Sequence, residues 1–319
     1  MTARLVQLSG VIVDHIYWVE AVPRAGEEAI VRRAVLCAGG GFNAMVAARR
    51  ARMAVAYAGT LGTGPFADIV AAALADEGIV PLRPRLAGQD QGCCTCLIDR
   101  AGERTFVAAS GADGVLTAAD LAALTLGAGD WCLLSGYALG YRDSRAALTE
   151  WLEEQTGKIN LVFDPSPLVA QIPEPSRAAA LSAATWVSAN RAEATALTGC
   201  ADPEAAAAAL AQGRSGGAIV RDGAHGCVLA TSDGAARPIP GHPVRAVDTN
   251  GAGDTHIGAF IAMLAETGDP MQAARFATIA AALSTTQEGP STAPDLNTVL
   301  VAMGETPGTR DRQGDTSPA

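Results

Sequence analysis

The segment Val247-Asp248-Thr249-Asn250-Gly251-Ala252-Gly253-Asp254-Thr255 sets two acids around a pair of glycines. Hydropathy reads it as a strand end passing through the glycines into a helix. Glycines let successive backbone N–H groups converge, and the helix N-terminus adds its positive dipole end, so the segment forms a nest for anionic oxygens. A phosphoryl group in transit suits such a nest. A carboxylate within it, Asp254, stays ionised there and can accept a hydroxyl proton late in a loose phosphoryl transfer. The segment also admits a purely structural reading, with Asp254 as helix N-cap and the glycines as a tight turn.

Four further places carry polar residues where chemistry is done. Ala38-Gly39-Gly40-Gly41-Phe42-Asn43 precedes a helix; its glycine spacing is wrong for a dinucleotide turn, and no acid follows at the required distance, which disfavours a dehydrogenase. Gly10-Val11-Ile12-Val13-Asp14 ends an apolar run with a carboxylate, suited to a vicinal diol or simply to a surface turn. Asn190-Arg191-Ala192-Glu193 opens a helix that Gly199 closes. This is a capping box by spacing, and an amide and a carboxylate also suit a hydrated magnesium ion. Arg221-Asp222-Gly223-Ala224-His225-Gly226 is a two-glycine loop after a strand, a weak signal by itself.

Taken in order along the chain, these segments resemble the PfkB, or ribokinase-like, family of carbohydrate kinases. The Asp-Thr-x-Gly-Ala-Gly-Asp run matches that family's C-terminal signature in full. The Gly-Gly-Gly-Phe-Asn variant and Leu61-Gly62-Thr63-Gly64-Pro65-Phe66-Ala67-Asp68 look closest to the YegV-like sugar kinases. Ala38 departs from the usual first glycine of the N-terminal signature.

The resemblance implies ATP-dependent phosphorylation of a sugar hydroxyl with Asp254 as general base and Gly251, Ala252 and Gly253 as the anion hole. It assigns Asp14, Gly39, Gly40 and Asn43 to the acceptor. Asn190, Arg221, Gly223 and Gly226 go to ATP, with Arg221 standing where the pattern often has Thr. Glu193 would order Mg2+ through water. Asp248, Asn250 and Gly289 would hold a monovalent cation such as K+. The alternatives are a nucleoside kinase, for instance one acting on pseudouridine, and a non-catalytic sugar-binding regulator; the intact Asp254 and its nest argue against the latter.

These residues need strands to present them. Leu5 to Val13 reads as one strand. Cys93 to Ile98 and Glu103 to Ala108 read as a hairpin turning at Asp99-Arg100-Ala101-Gly102. From Asp130 onward, short apolar runs at Trp131, Ile159, Trp186 and Ala218 alternate with helical stretches of βαβ length. The expected fold is α/β, a mainly parallel sheet with helices on both faces, ribokinase-like, over residues 1–303. A small β lid is expected from about 15–35 and 92–108, and a disordered tail over 304–319. Ligands of such sheets sit beyond the strands' carboxyl ends, which selects Asp164, Asn190 and Asp222. The lid's free edge and face lead to the expectation of a homodimer formed through it.

Composition narrows the partners. The chain has 33 acidic and 23 basic residues, a net charge of −10, and no run of like charge, which argues against nucleic acid and an anionic membrane surface. No apolar stretch reaches roughly 18 residues. Seven irregularly placed cysteines suit free thiols in a reducing compartment, so the expected location is cytoplasmic. Lys158 is the only lysine and is followed by Ile159, so there is no Walker A loop. Backbone amides, Arg and metal must neutralise any phosphate.

Overall fold

The structure, a computed structural model, describes residues 3–305. The tail expected at 304–319 therefore lies, from residue 306 on, outside the described residues. The first half of the chain contains β1 (Arg4–Gln7), β2 (Val11–Val19), β3 (Val31–Gly40), α1 (Phe42–Arg50), β4 (Ala54–Tyr57), α2 (Pro65–Asp76), β5 (Val80–Pro81), β6 (Cys93–Ile98) and β7 (Arg104–Ala109). There follow α3 (Ala118–Ala122), β8 (Trp131–Ser135), α4 (Gly136–Gly140), α5 (Arg142–Gln155), β9 (Asn160–Asp164), α6 (Glu174–Ala183) and β10 (Trp186–Asn190). The chain continues through α7 (Arg191–Thr198), α8 (Pro203–Ala211), β11 (Gly217–Arg221), β12 (Gly226–Thr231), β13 (Ala236–Pro240), α9 (Ala252–Thr267), α10 (Pro270–Ser284) and α11 (Leu296–Ala302).

Nine strands make one sheet in the order β13-β12-β11-β10-β9-β8-β1-β4-β5, parallel from β11 to β5, with β12 and β13 antiparallel at one edge. Because alternate strand residues point to opposite faces, Leu5, Leu133, Val162 and Ile219 pack into one core with α1, α9 and α10. Their neighbours Val6, Leu134, Phe163 and Val220 pack into the other with α5, α6 and α8. Both faces are thus buried, which is why these strands read as unbroken apolar runs. Each fully buried Leu, Val, Ile or Phe in them stabilises by about 1.5–3 kcal/mol. No helix among the described residues is long and apolar enough to cross a membrane.

A second sheet, β3-β2-β6-β7, lies to one side. The expected single strand from Leu5 to Val13 is two strands, one in each sheet. Gln7 ends pairing with β4, Val11 begins pairing with Gly40, and between them Gly10 O accepts from Gly41 N at 3.1 Å. An apolar run carries no mark of a change of sheet, so hydropathy could not divide it. Nor does a strand lead into the 247–255 segment. The last strand ends at Pro240, and Val247 N and Asp248 N instead donate to Thr285 O at 2.7 and 3.0 Å.

Helix α9 runs through the middle of one helical layer, buried continuously from Thr255 to Leu264. Its approach to α1 is unusually close: a Cβ at Gly258 would lie 2.0 Å from Ala44 O. Only glycine permits that crossing, and the crossing brings Asn43 to Asp254.

Candidate active site

Gly251, with φ 72°, is the N-cap of α9, and no side chain caps the helix. Asp254 stands three residues further in, so the N-cap reading of that residue is wrong: a left-handed glycine has taken the place. First-turn amides have no partner within a helix, and the carboxylate sits at the helix's positive end. Asp254 Oδ2 accepts from Asn43 Nδ2 at 3.1 Å, and Asn43 Oδ1 accepts from Ser291 Oγ at 2.8 Å. Asn43 is 4% exposed; expected at the acceptor, it is engaged in holding the acid. Burial, reinforced by the charge of Asp164, pushes the Asp254 carboxyl up to about 6, against the opposing pull of Asn43 and Arg221. It is thus mostly ionised at neutral pH yet basic enough to take a proton.

Asp14 lies in the middle of β2, flanked in register by Cys37 on β3 and Cys94 on β6. Burial, then the charge of Asp254, pushes its carboxyl up to about 7. The flanking thiols are raised too, to about 12 and about 11, by burial and then by Asp14, so they stay neutral. Gly39 leaves the carboxylate its place: a Cβ there would fall 2.0 Å from Asp14 Oδ2 and push that side chain aside. The carboxylate therefore rests against Gly39 of the glycine segment, while Asn43 holds Asp254, whose charge acts on Asp14.

At the carboxyl ends of β9, β10 and β11 stand Asp164, Asn190 and Arg221. Asn190 and Glu193 form the expected capping box: Asn190 N donates to Glu193 Oε2 at 2.7 Å, Glu193 N donates to Asn190 Oδ1 at 2.9 Å, and Gly199 closes the helix with φ 74°. Burial and the Asp164 charge lift the Glu193 carboxyl to about 7.

Arg221 does not pair with a surface acid. Its side chain is 12% exposed and donates to Gly253 O at 3.1 Å and to Glu193 Oε2 at 3.4 Å, with Asp164 Oδ2 at 3.7 Å. One guanidinium thus ties the strand ends to the glycine nest. Gly223 and Gly226 shape the tight turn between β11 and β12, both with positive φ. His256 only packs: it is 4% exposed, its Nε2 lies 3.4 Å from Thr278 Oγ1, and burial lowers it to about 3.

Asp248, Asn250 and Gly289 also converge, but through N–H donors. Asp248 Oδ1 accepts from Asn250 N at 2.9 Å and from Arg104 Nη2 at 2.6 Å, and Oδ2 accepts from Gly289 N at 3.0 Å. That donor set does not fit a metal cation at the Asp248 carboxylate. A hydrated magnesium ion fits the Glu193 side better. Both its oxygens already hold Asn190, at 2.7 Å each, and no group of three or more His, Cys, Asp or Glu among the described residues is placed to hold a metal. Such an ion would draw most of its ligands from triphosphate and water.

Asp164 was marked in the sequence by its strand-end position alone, and two neighbouring residues escaped it. Tyr137, whose phenol is raised by burial and then by Asp164, Asp254, Cys94 and Glu193, stands at the start of α4 with no motif. Arg104 is 144 residues from its partner.

Comparison with known proteins agrees with this geometry. The model of the pfkB family of carbohydrate kinases matches residues 4–297. The uncharacterized sugar kinase YegV of Escherichia coli is 31% identical over 259 residues, covering 80% of this chain and 79% of that protein. The ribokinase of Haemophilus influenzae is 30% identical over 298 residues, covering 91% and 94%. The structure of Arabidopsis thaliana ribokinase complexed with ribose and ATP superimposes with a TM-score of 0.77 at 21% identity, covering 95% of this chain and 99% of that one.

Proposed function

The chain belongs to the pfkB family of carbohydrate kinases, and from that premise we propose that it transfers the γ-phosphoryl group of ATP to a hydroxyl of a sugar or sugar-like molecule, with Asp254 as the general base. The observation that carries this reading is the placement of Asp254. It is a half-buried carboxylate in the first turn of α9, held by Asn43, with a carboxyl raised to about 6.

Asp14 accepts hydrogen bonds from acceptor hydroxyls, backed by Gly39 and Gly40. Asp254 takes the proton from the hydroxyl that attacks. The amides of Gly251, Ala252 and Gly253 receive the phosphoryl oxygens, and Arg221 pins the nest by its bond to Gly253 O. Asn190, Gly223 and Gly226 border the nucleotide. Magnesium, bound near Glu193 through water, would neutralise charge on the triphosphate.

The sheet β3-β2-β6-β7 serves as a lid that keeps water from the transfer. Its exposed Leu36, Phe106 and Val107 support a homodimer formed through that sheet, and light scattering at micromolar concentration checks it: a monomer refutes it. A panel of sugars and nucleosides assayed for ADP release tests the function. Release that depends on one class of acceptor and is lost in Asp254→Asn supports the reading. Tight sugar binding without ADP release would replace it with that of a sensor.

A further inference from the structure

Asp248 is a nearly buried acid, its side chain 9% exposed, and an acid so placed needs compensating positive charge. The nearest charge comes from the small sheet. Arg104, the first residue of β7, donates from Nη2 to Asp248 Oδ1 at 2.6 Å and from Nη1 to Thr249 Oγ1 at 3.3 Å. Its fork grips two successive residues of the segment that leads into the nest. From Asp248 the contacts run onward. Oδ2 holds Gly289 N, the same loop presents Ser291 to Asn43, and Asn43 holds Asp254. A second pair from the lid, Arg33 on β3 with Glu288, meets that loop as well.

We propose that Arg104 is a positioning residue that acts as the built-in cation of this site: its guanidinium holds Asp248, shapes the anion nest, and makes the protein indifferent to potassium. A guanidinium keeps its charge at every working pH and cannot be exchanged for another ion. It also rides on the lid, so the charge reaches Asp248 only when β7 lies against the 248–249 segment. Ordering of the nest is thereby coupled to the lid and not to the ionic composition of the medium. The proposal rests on the kinase reading for its catalytic meaning, but its electrostatic content does not.

The test compares potassium chloride with tetramethylammonium chloride at equal ionic strength for the parent, Arg104→Ala and Arg104→Lys. Melting temperature is read without substrate, and ATP affinity by calorimetry. The parent and Arg104→Lys should melt alike in the two salts. Arg104→Ala should melt lower in tetramethylammonium and recover by roughly 2 °C or more in potassium, as a free cation enters the vacated place. Its ATP affinity should fall about tenfold in the organic salt and be largely restored by potassium. A merely structural ion pair gives no such ion-selective rescue. A parent stabilised by potassium, or an Arg104→Ala variant equally indifferent to both salts, overturns the proposal. Failure to bind ATP in any salt would count against the kinase reading, while the melting comparison would still decide the role of Arg104.

Discussion

In an Asp254→Asn variant the side chain keeps its shape but loses its charge and basicity, so stability and activity should move in opposite directions. The carboxyl is lifted from its ordinary 3.8 to about 6. Holding it ionised at neutral pH therefore costs at most about 3 kcal/mol, at about 1.4 kcal/mol for each pH unit. An amide at the same place escapes that cost and the repulsion from Asp164, and it can still accept from Asn43 Nδ2 through its own carbonyl. Since Gly251 and not Asp254 is the N-cap, no cap is lost. The melting temperature should rise by a few degrees, about 2–4 °C per kcal/mol for a chain somewhat smaller than this one. The turnover number should fall by roughly two to four orders of magnitude, or about 3–5 kcal/mol of barrier, as expected for removal of a general base. ATP affinity should stay within a few-fold. Scanning calorimetry and a coupled ADP assay read both quantities on one preparation. Turnover at the parent rate would show that Asp254 is no base. A lowered melting temperature would show that the carboxylate supports the fold, against the penalty expected from its burial and from the Asp164 charge.

Two more outcomes follow from the same groups. The carboxyls of Asp14 and Glu193, at about 7, and of Asp254, at about 6, all lie above their ordinary values. Each contributes stability at low pH that is lost as pH rises through its folded value. Buried His256, lowered to about 3, opposes them below its unfolded value of about 6.5, one group against three. The melting temperature of the free protein should therefore rise from pH 8 to pH 6, and a fall over that interval would contradict the assignment. Asp14→Ala should weaken the acceptor roughly 10- to 100-fold, the worth of hydrogen bonds to a charged group, and leave ATP within a few-fold. Calorimetry showing equal weakening of both ligands would make Asp14 structural.

What the amino-acid order determined unaided was local. The capping box of Asn190 and Glu193 joins residues three apart, its closing Gly199 ends the same helix, and the glycine turn into α9 is built within one segment. In each case the partners are fixed by helix or turn geometry, so spacing alone names them. The parallel sheet was legible for a related reason: a strand buried on both faces must be apolar throughout. That same uniformity hid the crossing from β1 to β2 between sheets.

The contacts that give Asp254 its character belong to the tertiary structure alone. Asn43 reaches it across 211 residues, and only because Gly258 lets α1 and α9 approach; Ser291 reaches Asn43 across 248. Arg221 meets Glu193 and Gly253 only where three chain segments end together. Arg104 meets Asp248 only where the small sheet reaches the segment that leads into α9. Residue type can announce that a carboxylate stands beside a glycine nest. Its basicity depends on how much water is excluded and which charges remain near, and chain packing over hundreds of residues sets both.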